Sequence, residues 1–208
     1  DQPLSHDDRN NRLIHLAAQY NRTDIADLLI AVKADINIGN KDGDTPLHIT
    51  ASHANLDVMS SLLKHGADVK IRNNKKETVI FHAIKNGDIR GIRLLYNNGA
   101  DIYSADYEGN VPVVYAIKYS PNKKEIVEFL LERGSPNNPD KDGNNALDLI
   151  KEQIAKEQSN NSNNNINTNI NNKVEGFKVK EIKETDISEK VQDLKSTATL
   201  IRNTTFSY

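Results

Sequence analysis

Thr45-Pro46-Leu47-His48, followed downstream by Gly66-Ala67-Asp68-Val69, is the stretch on which the reading of this chain turns. Its parts return at a fixed interval. His15 and His48 are 33 residues apart, and Ala34-Asp35, Ala67-Asp68 and Ala100-Asp101 step along the chain by the same 33. A period of that length marks a repeat architecture, in which no unit buries its apolar face alone and stacked neighbours share one core.

Working outward, the first unit reads Leu13-Ile14-His15-Leu16-Ala17-Ala18, then Asp24-Ile25-Ala26-Asp27-Leu28-Leu29 and Ala34-Asp35. The third has Thr78-Val79-Ile80-Phe81-His82-Ala83, Leu94-Leu95 and Gly99-Ala100-Asp101. The fourth has Gly109-Asn110-Val111-Pro112-Val113-Val114-Tyr115-Ala116, then Ile126-Val127-Glu128-Phe129-Leu130-Leu131 and Gly134. Gly134 lies 35 residues beyond Gly99, so two residues are inserted, most simply within Ser120-Pro121-Asn122-Lys123. A partial fifth unit opens at Gly143-Asn144-Asn145-Ala146-Leu147.

Local chemistry supports the same division. Thr45 is an N-cap residue able to accept from free amides, and Pro46 follows at the first helical position, where its missing N–H is harmless. Leu47, Ala51, Val58, Met59, Leu62 and Leu63 recur at helical spacing and form an apolar seam. Gly66, Gly99 and Gly134 stand where a helix ends through a left-handed residue. Ala17, Ala51, Ala83 and Ala116 are small enough to let helices approach closely. Each unit is thus expected to be a helix–turn–helix joined to the next by an extended, hairpin-like loop.

The period and the Thr-Pro-Leu-His motif resemble the ankyrin repeat family over about residues 10–156, with the second unit the most faithful copy. The tetratricopeptide pattern has nearly the same period but lacks the Gly-Ala-Asp hairpin. The resemblance implies an all-α ankyrin-repeat solenoid. Its repeats fall at about 10–42, 43–75, 76–108 and 109–142, with a partial repeat at 143–157, so the repeat domain spans 10–157 after an N-terminal extension, 1–9. Departures mark particular units. Arg12-Leu13 replaces Thr-Pro in the first, fitting a polar N-terminal cap. Phe81, Val114 and Asp148 take the histidine position in the third, fourth and fifth. The charged run from Lys151-Glu152 to Lys156-Glu157 fits a solvated closing helix.

Beyond the repeats the composition changes. Residues 158–172 are almost wholly Asn and Ser, which cannot bury enough to offset ordering entropy, and a disordered linker is expected. The tail, 173–208, contains Ile187, Val191, Leu194, Ala198 and Ile201 at alternating steps of four and three, predicting an amphipathic helix over 186–202 with Asp186 and Glu189 at its start.

The totals narrow the function classes. Across 208 residues the formal charge is −2, which gives no global reason to expect a nucleic acid partner. No cysteine is present, so disulfides, thiolate catalysis and cysteine-ligated zinc are excluded. No apolar run reaches the roughly 18–20 residues of a membrane helix. A cytoplasmic location is expected, with delivery into a host cell as an alternative. The first residue is Asp, from which a processed or partial chain is expected.

Chemistry-bearing residues are sparse. Of the histidines, His6, His15, His48, His53, His65 and His82, two occupy the repeat's own histidine position and read as structural hydrogen-bonding groups. No phosphate loop, His-Glu-x-x-His or Gly-x-Ser-x-Gly is found. Asp140-Lys141-Asp142-Gly143 is half a calcium loop and reads better as a hairpin. No enzyme, cofactor or metal is expected. The resemblance instead implies a binding surface on the hairpin tips and the exposed face of each first helix. Carried over by alignment, that surface comprises Tyr20, His53, Asn86 and Tyr119 in one column, Lys85 and Lys118 in the next, and Arg72, Lys75, Tyr107 and Glu108 at the tips. Aromatic and Arg residues predominate among binding hot spots. The expected function is a non-enzymatic scaffold gripping a partner protein through a concave face. Two alternatives are a C-terminal helix docking in cis, and the targeting part of a larger protein such as a bacterial effector.

Overall fold

The computed structural model describes residues 12–156, 159 and 192–201. The N-terminal extension, nearly all of the Asn-rich linker and the proposed start of the tail helix lie outside the described residues. Two compact units divide at Gly143.

The first unit is a run of helix pairs. The pairs are α1 (Leu13–Gln19) with α2 (Thr23–Ala31), α3 (Pro46–His53) with α4 (Leu56–Lys64), α5 (Val79–Asn86) with α6 (Ile89–Asn97), and α7 (Pro112–Tyr119) with α8 (Lys123–Glu132). No strand occurs among the described residues. The first helices of the pairs, α1, α3, α5 and α7, pack against one another in chain order. Their facing residues are small: Ala17, Ala51, Ala83 and Ala116 are all buried. Larger apolar residues, Met59, Leu62, Ile80, Ile84, Ile92 and Leu95, fill the space between each pair and the next. Shared burial between neighbours is therefore the main source of stability.

The caps work as the residue types require, with one difference. Thr45 caps α3 jointly with His48, whose Nδ1 accepts the Thr45 backbone N–H at 3.2 Å and lies 2.8 Å from its hydroxyl. His15 does the same for Arg12 in α1, accepting its N–H at 3.1 Å. Its far nitrogen, Nε2, then reaches the Asp44 carbonyl of the next repeat at 3.0 Å. The repeat histidine thus joins its own helix start to the following hairpin.

The hairpins are built by a side-chain column that recurs nearly with the period. Asn40 Oδ1 accepts from the amides of Asp42 and Asp44, Asn73 Oδ1 from Lys75 and Glu77, and Asp106 Oδ1 from Glu108 and Asn110. Successive tips then bond to each other: Asn74 N–H to Asp42 C=O, Tyr107 N–H to Lys75 C=O, and Lys141 N–H to Glu108 C=O, at 3.0, 2.8 and 3.0 Å. Asp140-Lys141-Asp142-Gly143 is the last of these turns, with Asp140 Oδ1 accepting the Asp142 amide.

One sequence expectation needs correction, and another is refined. The two inserted residues of the fourth repeat fall at the turn and the start of α8, around Ser120 to Lys123. Cap residue Asn122 lies 34 residues beyond Asp88, while Arg133 lies 35 beyond Asn98. One extra residue is in the turn after α7 and the other lengthens α8 to 10 residues against 9 in α6. The first repeat is also not polar on its outer side. Ile25, Leu28 and Val32 are exposed at 36%, 60% and 66%, whereas Val58 and Ser61, the equivalents of the first two, are buried. In the second repeat those positions are covered by the first, as when Ser61 Oγ donates to Asp27.

The second unit contains helices over 146–156 (α9) and 192–201 (α10). Asn145 starts α9, accepting from the Leu147 and Asp148 amides, and Asp148 Oδ2 accepts the Asn145 N–H at 3.4 Å. Asp148 thereby does for this helix what His48 does for α3. Within α10, Thr197 and Ile201 are buried and Leu194 and Ala198 half-buried, a helical stripe that agrees with the seam read from the sequence.

Candidate interaction site

The inner face of repeats two to four opens into a cleft of about 650 Å³. Hairpin residues Asp42, Asp44, Asn73, Asn74, Lys75 and Glu77 form one wall, and Ser52, His82, Lys85, Asn86 and Tyr115 on the first helices form the other. The repeat geometry produces this pairing, because each hairpin projects beside the helix it precedes.

At the back of the cleft the polar groups interlock. Asn73 Nδ2 donates to Asp44 Oδ1 at 2.8 Å and to Glu77 Oε2 at 3.2 Å. His82 Nε2 lies 3.4 Å from Asp44 Oδ1 and 3.5 Å from Glu77 Oε2, and its Nδ1 is 2.8 Å from Ser52 Oγ. Tyr115 donates its hydroxyl to Glu77 Oε1 at 3.0 Å. Its ring packs edge-on against Phe81 and tilted against Tyr119. Phe81, at the repeat's histidine position, therefore supports the cleft from below.

Electrostatics follow from burial and partners. Burial works to raise the Glu77 carboxyl, but His82, Asn73 and Tyr115 outweigh it and bring it down to about 2. Tyr115 is raised, by burial first and then by the Glu77 charge. His48 is lowered to about 4, by burial and the nearby His82, against the pull of Asp44. At neutral pH the cleft floor is thus ionised carboxylate beside an uncharged buried imidazole.

Of the residues selected from sequence, the cleft gathers Lys75, Lys85 and Asn86. Lys75 and Lys85 are exposed at its rim, while Asn86 donates to the Ser52 carbonyl at 2.8 Å and so also ties α5 to α3. Arg72 bonds the Lys76 and Ala105 carbonyls and braces two hairpins. Tyr107, 73% exposed, lies beneath the Lys76 ammonium at the neighbouring tip. Tyr119 donates to Glu108 Oε2 at 3.4 Å, and Lys141 approaches the other Glu108 oxygen at the same distance. Lys118 is paired with the buried Asp140 carboxylate at 2.7 Å, so its charge is already engaged. Tyr20 and His53 are exposed on the first and second repeats and do not line the cleft.

Sequence reasoning left the other eight cleft residues out of its selection: Asp42, Asp44, Ser52, Asn73, Asn74, Glu77, His82 and Tyr115. Signals existed for three of them. Asn73 belongs to the Asn40, Asn73, Asp106 column. His82 and Tyr115 hold a position that is Leu16 and Ile49 in the earlier repeats, so polar rings replace aliphatic side chains there.

Stacked helix pairs with hairpin tips, a capping histidine and a cleft on one face define a helical repeat architecture. Residues 14–106 match the family model for ankyrin repeats in three copies, which supports the resemblance read from the sequence. A search of curated proteins found no match. Ankyrin repeats are in general protein–protein interaction modules and are typically not enzymes. No helix among the described residues is long and apolar enough to cross a membrane.

Proposed function

We propose that this chain is a non-enzymatic scaffold that binds a segment of a partner protein along the inner face of repeats two to four. The carrying observation is the cleft from Asp42 to Tyr115, with the exposed tyrosines Tyr107 and Tyr119 beside it. Its walls are held by hydrogen bonds before any partner arrives, which lowers the ordering cost of association. Lys75 and Lys85 at the rim would meet acidic or carbonyl groups of the partner, Asn86 its backbone, and the tyrosines its apolar side chains. Tyr20, His53, Arg72, Glu108 and Lys118 would extend or brace that surface. A cytoplasmic setting suits a chain without cysteine.

The test is affinity capture with the whole chain, followed by measured binding of the captured protein. Replacing Tyr107 and Tyr119 together by Ala, or Lys85 by Ala, should weaken binding at least ~10-fold, as hot-spot truncations do, with unchanged circular dichroism. Equal affinity in both variants would remove this face from consideration.

A further inference from the structure

One apolar helix face has no neighbour among the described residues. On α2, Ile25, Leu28, Ala31 and Val32 are all exposed, and their helical spacing sets them on one side. The equivalent side of α4 is covered by the first repeat, and no residue of α2 lines the cleft. An exposed apolar stripe of this kind marks an interaction surface. We propose that it is a self-association surface, on which a second copy of the chain seats its own α2 antiparallel to the first in a weak dimer.

Charge decides which occupant fits. Asp24 lies at the N-terminal end of the stripe, one helical turn before Leu28, and Lys33 follows Val32 at the other end. Both are exposed. The Asp24 carboxylate accepts two bonds from Arg22 and keeps lone pairs on both oxygens. A two-fold contact sets a surface against itself. If the helices cross antiparallel near Leu28, Asp24 of each copy meets Lys33 of the other, because the two residues flank Leu28 at nearly equal distance. Two opposite-charge pairs then frame the apolar stripe, whereas a parallel contact would set like charges together. Antiparallel helices also place opposite dipole ends side by side. Arg22 of each copy lies near the carbonyl end of the other α2, whose last turn holds no basic residue of its own.

The chain before α1 is a poorer match. Residues 1–11 offer one large aliphatic side chain, Leu4, against the four apolar positions of the stripe. A second α2 brings an equal stripe and the complementary ends. The contact is small, so the dimer forms only at high concentration and the dilute chain is monomeric with α2 in solvent.

The test is sedimentation equilibrium of the whole chain from about 1 to 500 μM. Wild type should run from monomer toward dimer with a Kd of roughly 100 μM, as suits a contact under about 1,200 Å². Leu28→Lys should weaken association at least ~10-fold with unchanged circular dichroism. Tyr103→Ala, an exposed ring elsewhere in the array, should associate as wild type. Asp24→Lys and Lys33→Asp should each weaken association at least ~3-fold, and the double variant should regain it, since both pairs are then opposite again. The proposal is overturned if wild type stays monomeric across the range, if Leu28→Lys associates undiminished, or if the double variant associates no better than the single ones. A Tm lowered by Leu28→Lys in the dilute chain would show that the chain itself covers α2, and would overturn it too. None of these results bears on the protein-binding reading, which the tyrosine variants test separately.

Discussion

At the scale of single residues, His48 carries more of the fold than its motif suggests. Its Nδ1 closes the start of α3 while its ring lies fully buried between two repeats. Its value of about 4 sits below the usual 6.5, so only the unfolded chain takes up a proton between those values. Its contribution is complete above pH 6.5 and is lost as pH falls toward 4. Urea midpoints should decline through that window by an amount equivalent to roughly 2–3 kcal/mol. His48→Gln should show a shallower decline there; an identical slope would mean the imidazole is not the titrating group.

Gly43 is a second residue with a specific task. It has φ of +79°, and a Cβ there would lie 2.8 Å from Asn74 Oδ1 and 2.9 Å from Asn74 N. Gly66 shares the left-handed φ but has nothing within 4 Å. Gly66→Ala should therefore cost about 1 kcal/mol, from backbone strain alone. Gly43→Ala should cost clearly more, because it also disturbs the bond joining two hairpin tips. Chemical denaturation of the two variants side by side checks the order. Lys76 holds the equivalent place in the next hairpin with φ of +59°, without a glycine.

At the scale of elements, the outer helices differ in what covers them. Leu28 and Val32 on α2 face solvent, whereas Val58, Met59 and Leu62 on α4 are sealed. Leu28→Lys should thus change stability by less than about 0.5 kcal/mol, and Leu62→Ala should cost about 2–5 kcal/mol. Comparable losses in the two variants would show that α2 is covered. The hairpin after α8 is tied to α7 by an ion pair, Lys118 with Asp140 at 2.7 Å. Asp140→Asn keeps the turn acceptor but removes the charge. It should destabilise by about 1–3 kcal/mol, below the 3–5 of a fully buried pair because Lys118 is partly exposed. Melting curves against wild type decide it.

At the scale of the molecule, repeats stacked in chain order should lose structure from the least covered part inward. Amide exchange should be slowest in α3 and α5, which have neighbours on both sides, and fastest in α2. Protection in α2 equal to that in α5 would contradict the stacking. The cleft, spanning three repeats, should then lose its shape before α3 and α5 exchange fully.

Much of this was legible in the sequence because repeats write local rules several times. The period of 33, the glycines after α4 and α6, the proline opening α3 and the small alanines between helices each have a local physical cause. The amphipathic stripe of α10 was legible for the same reason. What the chain alone determined is therefore the fold class, the helix pairs and the candidate interaction surface as a set of columns. The tertiary structure decided which columns meet. It placed one inserted residue in the turn after α7 and the other at the start of α8, a division that the spacing alone left open. It exposed the apolar side of α2, since coverage depends on a neighbour. It engaged Lys118 with Asp140, and joined Asp44 and Asn73 of the second repeat to Glu77 and His82 of the third. Distances between side chains on different repeats depend on the stacking of whole units, and no local sequence window contains that information.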